Sequence, residues 1–306
     1  MIMSTGLEWS LLDKPANWKK IFENDHPVDC EIGFGNAEFL INKAKSHLER
    51  NFFGIDYSSE FFTKAEKVIK RANSTNVKVV CLEAKAAFMI LIPQKSLSHI
   101  YINFPDPWPK KKHRKNRLLD REFFTLAASR VAKEGKVIIV TDDPFYCDFI
   151  LEEIGVTHLW KSLFQKGWTN EISDYYPTKY EKKWKAQGKD IFYMIFQKKK
   201  DPDKEFKMKE YNIKDVVFST HFPSRISNIA GEIIKEGNSI ARILQIKRTA
   251  EEIKILVLLK DDTLIRKRIL PISESKNNQW KLQIPENLFP SFSFKIFIDK
   301  LKTLDE

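Results

Sequence analysis

From Val28 to Gly155 the chain alternates short apolar runs with segments of helical spacing, and this alternation limits its fold more than any other feature. Apolar runs at 28–32, 51–55, 77–81, 97–103 and 136–141 read as strands. Between and after them, 37–48, 61–72, 84–92, 121–131 and 145–155 carry helical spacing, plainest in Phe62, Ala65, Val68 and Ile69. Gly135 and Gly155 read as helix stops. Strands alternating with helices build βαβ units, so the expected core is α/β, a mostly parallel sheet with helices on both faces. Such sheets bind ligands at the carboxyl ends of their strands. Gly33, Gly35, Asp56, Glu83, Asp106 and Asp142 all fall at those ends.

The first strand closes in the glycine turn Glu31-Ile32-Gly33-Phe34-Gly35-Asn36-Ala37. Glycine there lets the backbone pass close to a ligand. Asp56 ends the second strand about twenty residues on, the spacing of a carboxylate that accepts hydrogen bonds from ribose hydroxyls. Two cofactors suit this pattern. A dinucleotide would seat its pyrophosphate on the helix N-terminus. S-adenosylmethionine carries a sulfonium and an ammonium instead of phosphates. Glu31 would repel a pyrophosphate and attract those cations. Glu38 stands where the dinucleotide pattern has its third glycine. Both facts favour the methyl donor. A tight turn beside an exposed Asp, with no ligand, is the bland alternative.

The fourth strand runs into Phe104-Pro105-Asp106-Pro107-Trp108-Pro109. Each proline fixes its own φ and biases the residue before it toward extended backbone, so the turn holds Asp106 and Trp108 stiffly. Seven Lys or Arg residues follow between Lys110 and Arg121, a density that attracts a phosphate backbone. A solvated helix start is the competing reading of that run. The formal charge of +11 over 306 residues also favours a polyanionic partner, with an anionic membrane surface as competitor. No apolar run approaches the ~20 residues of a membrane span, and the start has no signal-peptide pattern. Cys30, Cys81 and Cys147 are scattered and read as buried free thiols of a reducing cytoplasm. The six histidines are dispersed, and no cluster has metal-ligand spacing. A soluble, cytoplasmic protein without a metal is expected.

Three segments follow from texture. Residues 1–27 read as a helical or irregular lead-in whose Trp9 and Trp18 pack on the main body. Residues 28–200 form the α/β domain. A charged, proline-containing linker at 198–204 leads to a β-rich domain at 205–306, with strands at 240–246, 253–259, 264–270, 281–284 and 292–298 and a turn at Asp261-Asp262. Hydrophobic residues at 42% of the chain support real cores.

Five blocks occur together in one order: Glu31-Ile32-Gly33-Phe34-Gly35, Gly54-Ile55-Asp56, Phe104-Pro105-Asp106-Pro107-Trp108 with its basic tail, Thr141-Asp142, and Thr178-Lys179-Tyr180-Glu181. Over residues 28–197 the chain therefore resembles the bacterial tRNA (guanine-N7-)-methyltransferase family. The resemblance implies a class I, Rossmann-like methyltransferase fold that moves a methyl group from S-adenosylmethionine to N7 of guanosine 46 in the variable loop of tRNA. It implies Asp106 and Asp142 as catalytic residues. It implies donor contacts from Glu31, Gly33, Gly35, Asp56, Glu83, Ala84, Asn103 and Asp106. It implies contacts to tRNA or its target base from Lys110, Lys112, His113, Arg114, Lys115, Arg117, Asp142, Thr178, Lys179, Tyr180 and Glu181. A monomer or homodimer is expected. The chain departs from the pattern at Ala37, where the usual third glycine stands, at Glu83, one methylene longer than the commoner Asp, and at Asp143, where an aromatic is frequent. Most members lack so large a C-terminal domain, and residues 205–306 carry no motif tied to chemistry.

The chemistry is undemanding in one respect. Guanine N7 has an in-plane lone pair and no proton, so proximity and electrostatics suffice without a strong base. A carboxylate near the base stabilises the positive charge that moves onto the purine. Asp106, Asp142 and Glu181 are candidates. Asp142 read alone is equally a helix cap before Pro144, and Thr178–Glu181 read alone is a surface turn. Trp108 packs under the donor, against the base, or beneath the turn. Other functions stay open: a non-catalytic RNA-binding protein on a methyltransferase-like fold, a nicotinamide-dependent oxidoreductase, or an amino-group methyltransferase with Asn103 in its catalytic turn.

Overall fold

The computed structural model describes residues 5–173, 175–206, 209–213, 216–219, 222–249, 251–261, 264–275, 279–285 and 287–305, apart from the side chains of Lys111, Lys115, Pro223 and Ser227. The Lys115 side chain, expected at RNA, and Asp262, expected in a turn, thus lie outside the described residues. The chain forms two compact units, Met1–Lys207 and Met208–Glu306.

The first unit is built on eight strands: β1 (Gly6–Leu7), β2 (Val28–Ile32), β3 (Asn51–Asp56), β4 (Val77–Cys81), β5 (Leu97–Asn103), β6 (Val131–Thr141), β7 (Trp160–Ser162) and β8 (Phe192–Lys198). Their order in the sheet is β1-β4-β3-β2-β5-β6-β8-β7. Pairing is parallel from β1 to β6 and antiparallel for β8 with both of its neighbours. Every residue of β2, β3 and β4 is buried, as parallel strands covered on both faces require. The crossover helices are α2 (Glu38–Ser46), α3 (Ser59–Arg71), α4 (Ala84–Ile90), α5 (Arg121–Arg130) and α6 (Pro144–Thr157). Side chains of Ser58, Asp120 and Asp143 cap α3, α5 and α6 by accepting from backbone N–H groups three residues on. The sheet order reverses between β2 and β5, which opens a crevice at their carboxyl ends.

Three local expectations fail, the first at Gly155, which lies inside α6 and does not end it. The lead-in contains a strand, since Gly6 and Leu7 pair with Val79 and Val80 of β4. Its tryptophans do pack inward: Trp9 is buried, and Trp18 lies 5.0 Å from the Phe53 ring and donates from Nε1 to Ser96 Oγ. Gly135 does not stop a helix. Helix α5 ends at Arg130, and Gly135 sits inside β6 where the pairing with β5 slips. A Cβ there would come within 2.6 Å of the Ser98 carbonyl oxygen, so the glycine serves close backbone approach.

The second unit is a six-stranded antiparallel sheet plus helices. It comprises β9 (Val217–Phe218), β10 (Ile233–Glu236), β11 (Ser239–Arg248), β12 (Glu252–Asp261), β13 (Leu264–Glu274) and β14 (Trp280–Leu282), in the order β10-β11-β12-β13-β14-β9. The strand expected at 292–298 is instead a helix, Phe292–Thr303. Phe294, Phe297, Ile298 and Leu301 recur at helical spacing and pack with Ile253, Ile255, Val257 and Leu259 of β12. Aromatic and β-branched residues suggested a strand, and burial of one helical face overrode that propensity. An ion pair anchors this helix. Buried Arg266 donates to Asp261 Oδ2 at 2.7 Å and to the Phe289 carbonyl at 2.8 Å, and Ser293 N donates to Asp261 Oδ1.

Asp261→Ala removes the carboxylate paired with the buried Arg266 guanidinium. Urea unfolding should show a loss of about 3–5 kcal/mol; a change below about 1 kcal/mol would mean that water already reaches the pair.

Candidate active site

The parallel register of β2 with β5 sets Glu31 opposite Tyr101 and brings its carboxylate to Asn103. Asn103 Nδ2 donates to Glu31 Oε1 at 2.9 Å. Asn103 Oδ1 in turn accepts from the Tyr175 hydroxyl. Glu31 is only 2% exposed, and its Oε2 has no hydrogen-bond partner. Burial pushes this carboxyl up to about 8, with the Asp56 charge adding to the effect against the Asn103 hydrogen bond. A buried carboxylate oxygen without a donor is costly unless a cation completes it.

Asp56 closes β3 beside this group. Its Oδ2 accepts from Gly35 N at 3.0 Å and its Oδ1 from Ser58 N at 2.9 Å. Burial again raises its pKa, partly offset by these backbone donors, and Asp106 adds repulsion. Gly33 and Gly35 take φ of 77° and 53°, the left-handed region that glycine tolerates. No atom lies within 4 Å of where a Cβ on either would be, so the space before the turn is open. Ala37 takes a φ of 59° without being glycine. The departure from the third glycine therefore keeps the backbone shape at a steric cost of about 1–2 kcal/mol. Half-buried Glu83 and Ala84 sit where β4 passes into α4. Glu31, Asp56, Glu83 and Asp106 thus line the ends of four neighbouring strands with carboxylates. That edge repels phosphate and suits a cationic ligand with an open oxygen at Glu31. Sulfonium and ammonium groups fit it.

Beyond β5 the proline turn is held from both sides. Phe104 N donates to the Val140 carbonyl at 2.8 Å, and Arg117 Nε donates to the Pro107 carbonyl at 2.8 Å. Phe104 and Trp108 both have positive φ, 51° and 42°. Asp106 itself is exposed. Arg117, expected at RNA, is 6% exposed, with its guanidinium 4.4 Å from the Phe149 ring centre and 4.9 Å from that of Tyr146. Burial lowers its pKa, and its role is to brace the turn. Lys110, Lys112 and Arg114 are exposed on or before the 3₁₀ helix Lys111–Asn116, while His113 is half-buried with its ring 5.9 Å from Trp108.

Asp142 ends β6, but Asp143 is the residue that caps α6. Asp142 is left to pair with Lys189 Nζ at 2.7 Å. Both line a cleft of about 400 Å³ together with Phe145, 78% exposed, and Phe192. Sequence reasoning missed Phe145 and Lys189, because neither belongs to a motif and the cleft forms only when β8 returns beside β6. Thr178–Glu181 is the start of a helix, α7 (Lys179–Ala186), not a surface turn. Thr178 caps it by accepting from Glu181 N. Lys179 and Tyr180 are exposed, but Glu181, expected at tRNA, is 2% exposed. Its Oε1 accepts from the Tyr193 hydroxyl at 2.5 Å and from Lys185 at 2.9 Å, and its Oε2 is buried without a partner. Among the described residues no group of side chains has the make-up of a metal site, and no helix is long and apolar enough to cross a membrane.

Residues 25–194 match the protein family described as putative methyltransferase. The tRNA (guanine-N(7)-)-methyltransferase of Buchnera aphidicola subsp. Baizongia pistaciae is 37% identical over 197 residues, 64% of this chain and 81% of that one. This chain belongs to the tRNA (guanine-N(7)-)-methyltransferase family. The member from Chlorobium phaeobacteroides is 34% identical over 193 residues, 62% of this chain and 90% of its own. The member from Thermotoga maritima is 29% identical over 279 residues, 90% of this chain and 88% of its own, so its likeness continues into the second unit.

A carboxyl raised from 4.5 to about 8 on folding makes stability fall as pH rises between those values, because the unfolded chain has already lost the proton. Without donor, thermal melts should show that slope in the parent and not in Glu31→Gln, which keeps an acceptor for Asn103. Equal slopes would sink the assignment. Arg117→Ala should lower the melting temperature yet leave the salt dependence of RNA binding unchanged, because its guanidinium meets Pro107; a shallower salt slope would put it at phosphate.

Proposed function

We infer that the chain transfers a methyl group from S-adenosylmethionine to N7 of a guanosine in tRNA, and we propose guanosine 46 of the variable loop as the target. The observation that carries this reading is Glu31: a buried carboxylate with one oxygen held by Asn103 and the other open, on a strand-end edge of acids. When bound, S-adenosylmethionine supplies a methyl group on a cationic sulfur. Glu31 Oε2 accepts from the donor's ammonium, which ionises the carboxyl that burial otherwise keeps protonated. Asp56, Glu83 and Ala84 serve the nucleoside end of the donor. Beyond its backbone bonds from Gly35, Ser58 and Tyr57, the Asp56 carboxylate keeps an acceptor site for a ribose hydroxyl.

The acceptor needs orientation rather than deprotonation. Asp106 and Asp142 stabilise the positive charge that arrives on the purine. Asp142 is neutralised by Lys189 within the chain. A guanine entering the cleft replaces that ammonium with its N1–H and exocyclic amine, both donors to the same carboxylate. Exposed Phe145 offers the ring on which the unstacked base rests. Glu181, buried and fixed by Tyr193 and Lys185, braces the helix that presents Lys179 and Tyr180 to the RNA. Lys110, Lys112 and Arg114 take phosphates and set position without reading sequence.

Incubation of the protein with labelled donor and a tRNA transcript, followed by chain cleavage at N7-methylguanosine, tests the reading. Label should enter at guanosine 46 and vanish when that residue is replaced by adenosine. Asp142→Asn should reduce turnover by about 100-fold or more while donor binding persists. Undiminished labelling of the substituted transcript would refute the position, and absence of any transfer would refute the activity.

A further inference from the structure

We propose that the solvent-facing side of the second unit's sheet is a docking surface for the phosphate backbone of an RNA stem. The proposal rests on the tRNA reading above and gives that substrate a second grip. Strand alternation splits β10 to β13 into two faces. The inner face, with Ile253, Ile255, Val257 and Leu259, is the apolar core. The outer face carries Lys235, Arg242, Lys247, Lys254, Lys260 and Lys267, placed there by the pairing register. The only carboxylate of these four strands on that face is Glu252, which pairs with Lys254 at 2.7 Å.

A face kept only for solubility interleaves both signs of charge. This one does not. Lys247 even stands directly opposite Lys254, a like-charge pairing that weakens a ladder. Arg242 and Lys267 flank Leu258 from either side, so the cations spread across strands as well as along them. From Lys254 to Lys260 the row runs about 20 Å, enough for several successive phosphates.

The rest of the face chooses between kinds of RNA. Its exposed apolar residues are aliphatic, Ile233, Ile265 and Ile269 at 57% each, and β10 to β13 contain no aromatic residue. Single strands are held by stacking bases on aromatic rings, whereas duplex stems are recognised by shape and phosphates. The face has the means for the second mode only.

The test combines Arg242→Gln, Lys254→Gln, Lys260→Gln and Lys267→Gln in the full chain. Affinity for a tRNA transcript is measured against potassium chloride concentration, with donor binding and the thermal melt as controls. The slope of log affinity against log salt should shrink by about 2–4, and the dissociation constant at 0.1 M salt should rise tenfold or more, with both controls unchanged. Single Lys267→Glu and Lys260→Glu variants provide the same reading if the quadruple variant melts early, each with a smaller slope change. An RNA hairpin stem should displace tRNA from the parent protein better than a single strand of equal length. An unchanged slope and affinity overturn the proposal. So does loss of binding to anionic phosphatidylglycerol vesicles with tRNA affinity intact. Methyl transfer by the parent protein is scored separately: tight, salt-sensitive tRNA binding without transfer would refute the activity and leave the surface standing.

Discussion

The hydrogen bond from Asn103 to Glu31 joins the two strands between which the sheet reverses its order. Much of the site depends on it. It orients a carboxylate that would otherwise be wholly unsatisfied in a dry interior, and it leaves the remaining oxygen buried without a donor. Tyr175, from the segment before α7, holds the amide from the other side. The relay therefore links β2, β5 and the distant segment that leads into α7. Burial, with repulsion among the neighbouring acids added to it, favours the protonated forms of Glu31 and Asp56.

The same logic of fixed charge appears twice more with different partners. Arg117 is spent on the carbonyl of Pro107 and two aromatic rings, which frees the exposed lysines and Arg114 from any structural duty. Glu181 occupies the third position of a helix whose cap is Thr178, where a glutamate commonly returns to the cap's own N–H. Here it turns to Tyr193 and Lys185 instead. A capping interaction has been given up to tie α7 to β8 through a buried carboxylate.

Most strands of the first sheet were legible as short segments rich in Val, Ile and aromatic residues set between helical ones; 28–32, 77–81 and 97–103 lie within the observed bounds. The glycine turn and the strand-end acids were legible too, since positive-φ glycines follow from local backbone needs. What escaped is tertiary. Nothing local tells that Arg117 folds back under the turn while Arg114 does not. The partnership of Asp142 with Lys189 spans the return of β8. The helix at Phe292–Thr303 reads as a strand until its buried face is seen, because Phe and Ile serve either element.

The two-residue strand at Gly6–Leu7 has a consequence for how the molecule keeps to itself. β4 is buried along its whole length, and its outer row of backbone groups would otherwise form an open template for any extended chain. Gly6 and Leu7 occupy that row, and Thr5 accepts from Val79 N at 3.0 Å. Gly6 is small because Glu66 lies where a side chain would go. A few residues far from any ligand thus act as a selvedge, sparing the sheet from continuing into a neighbouring molecule.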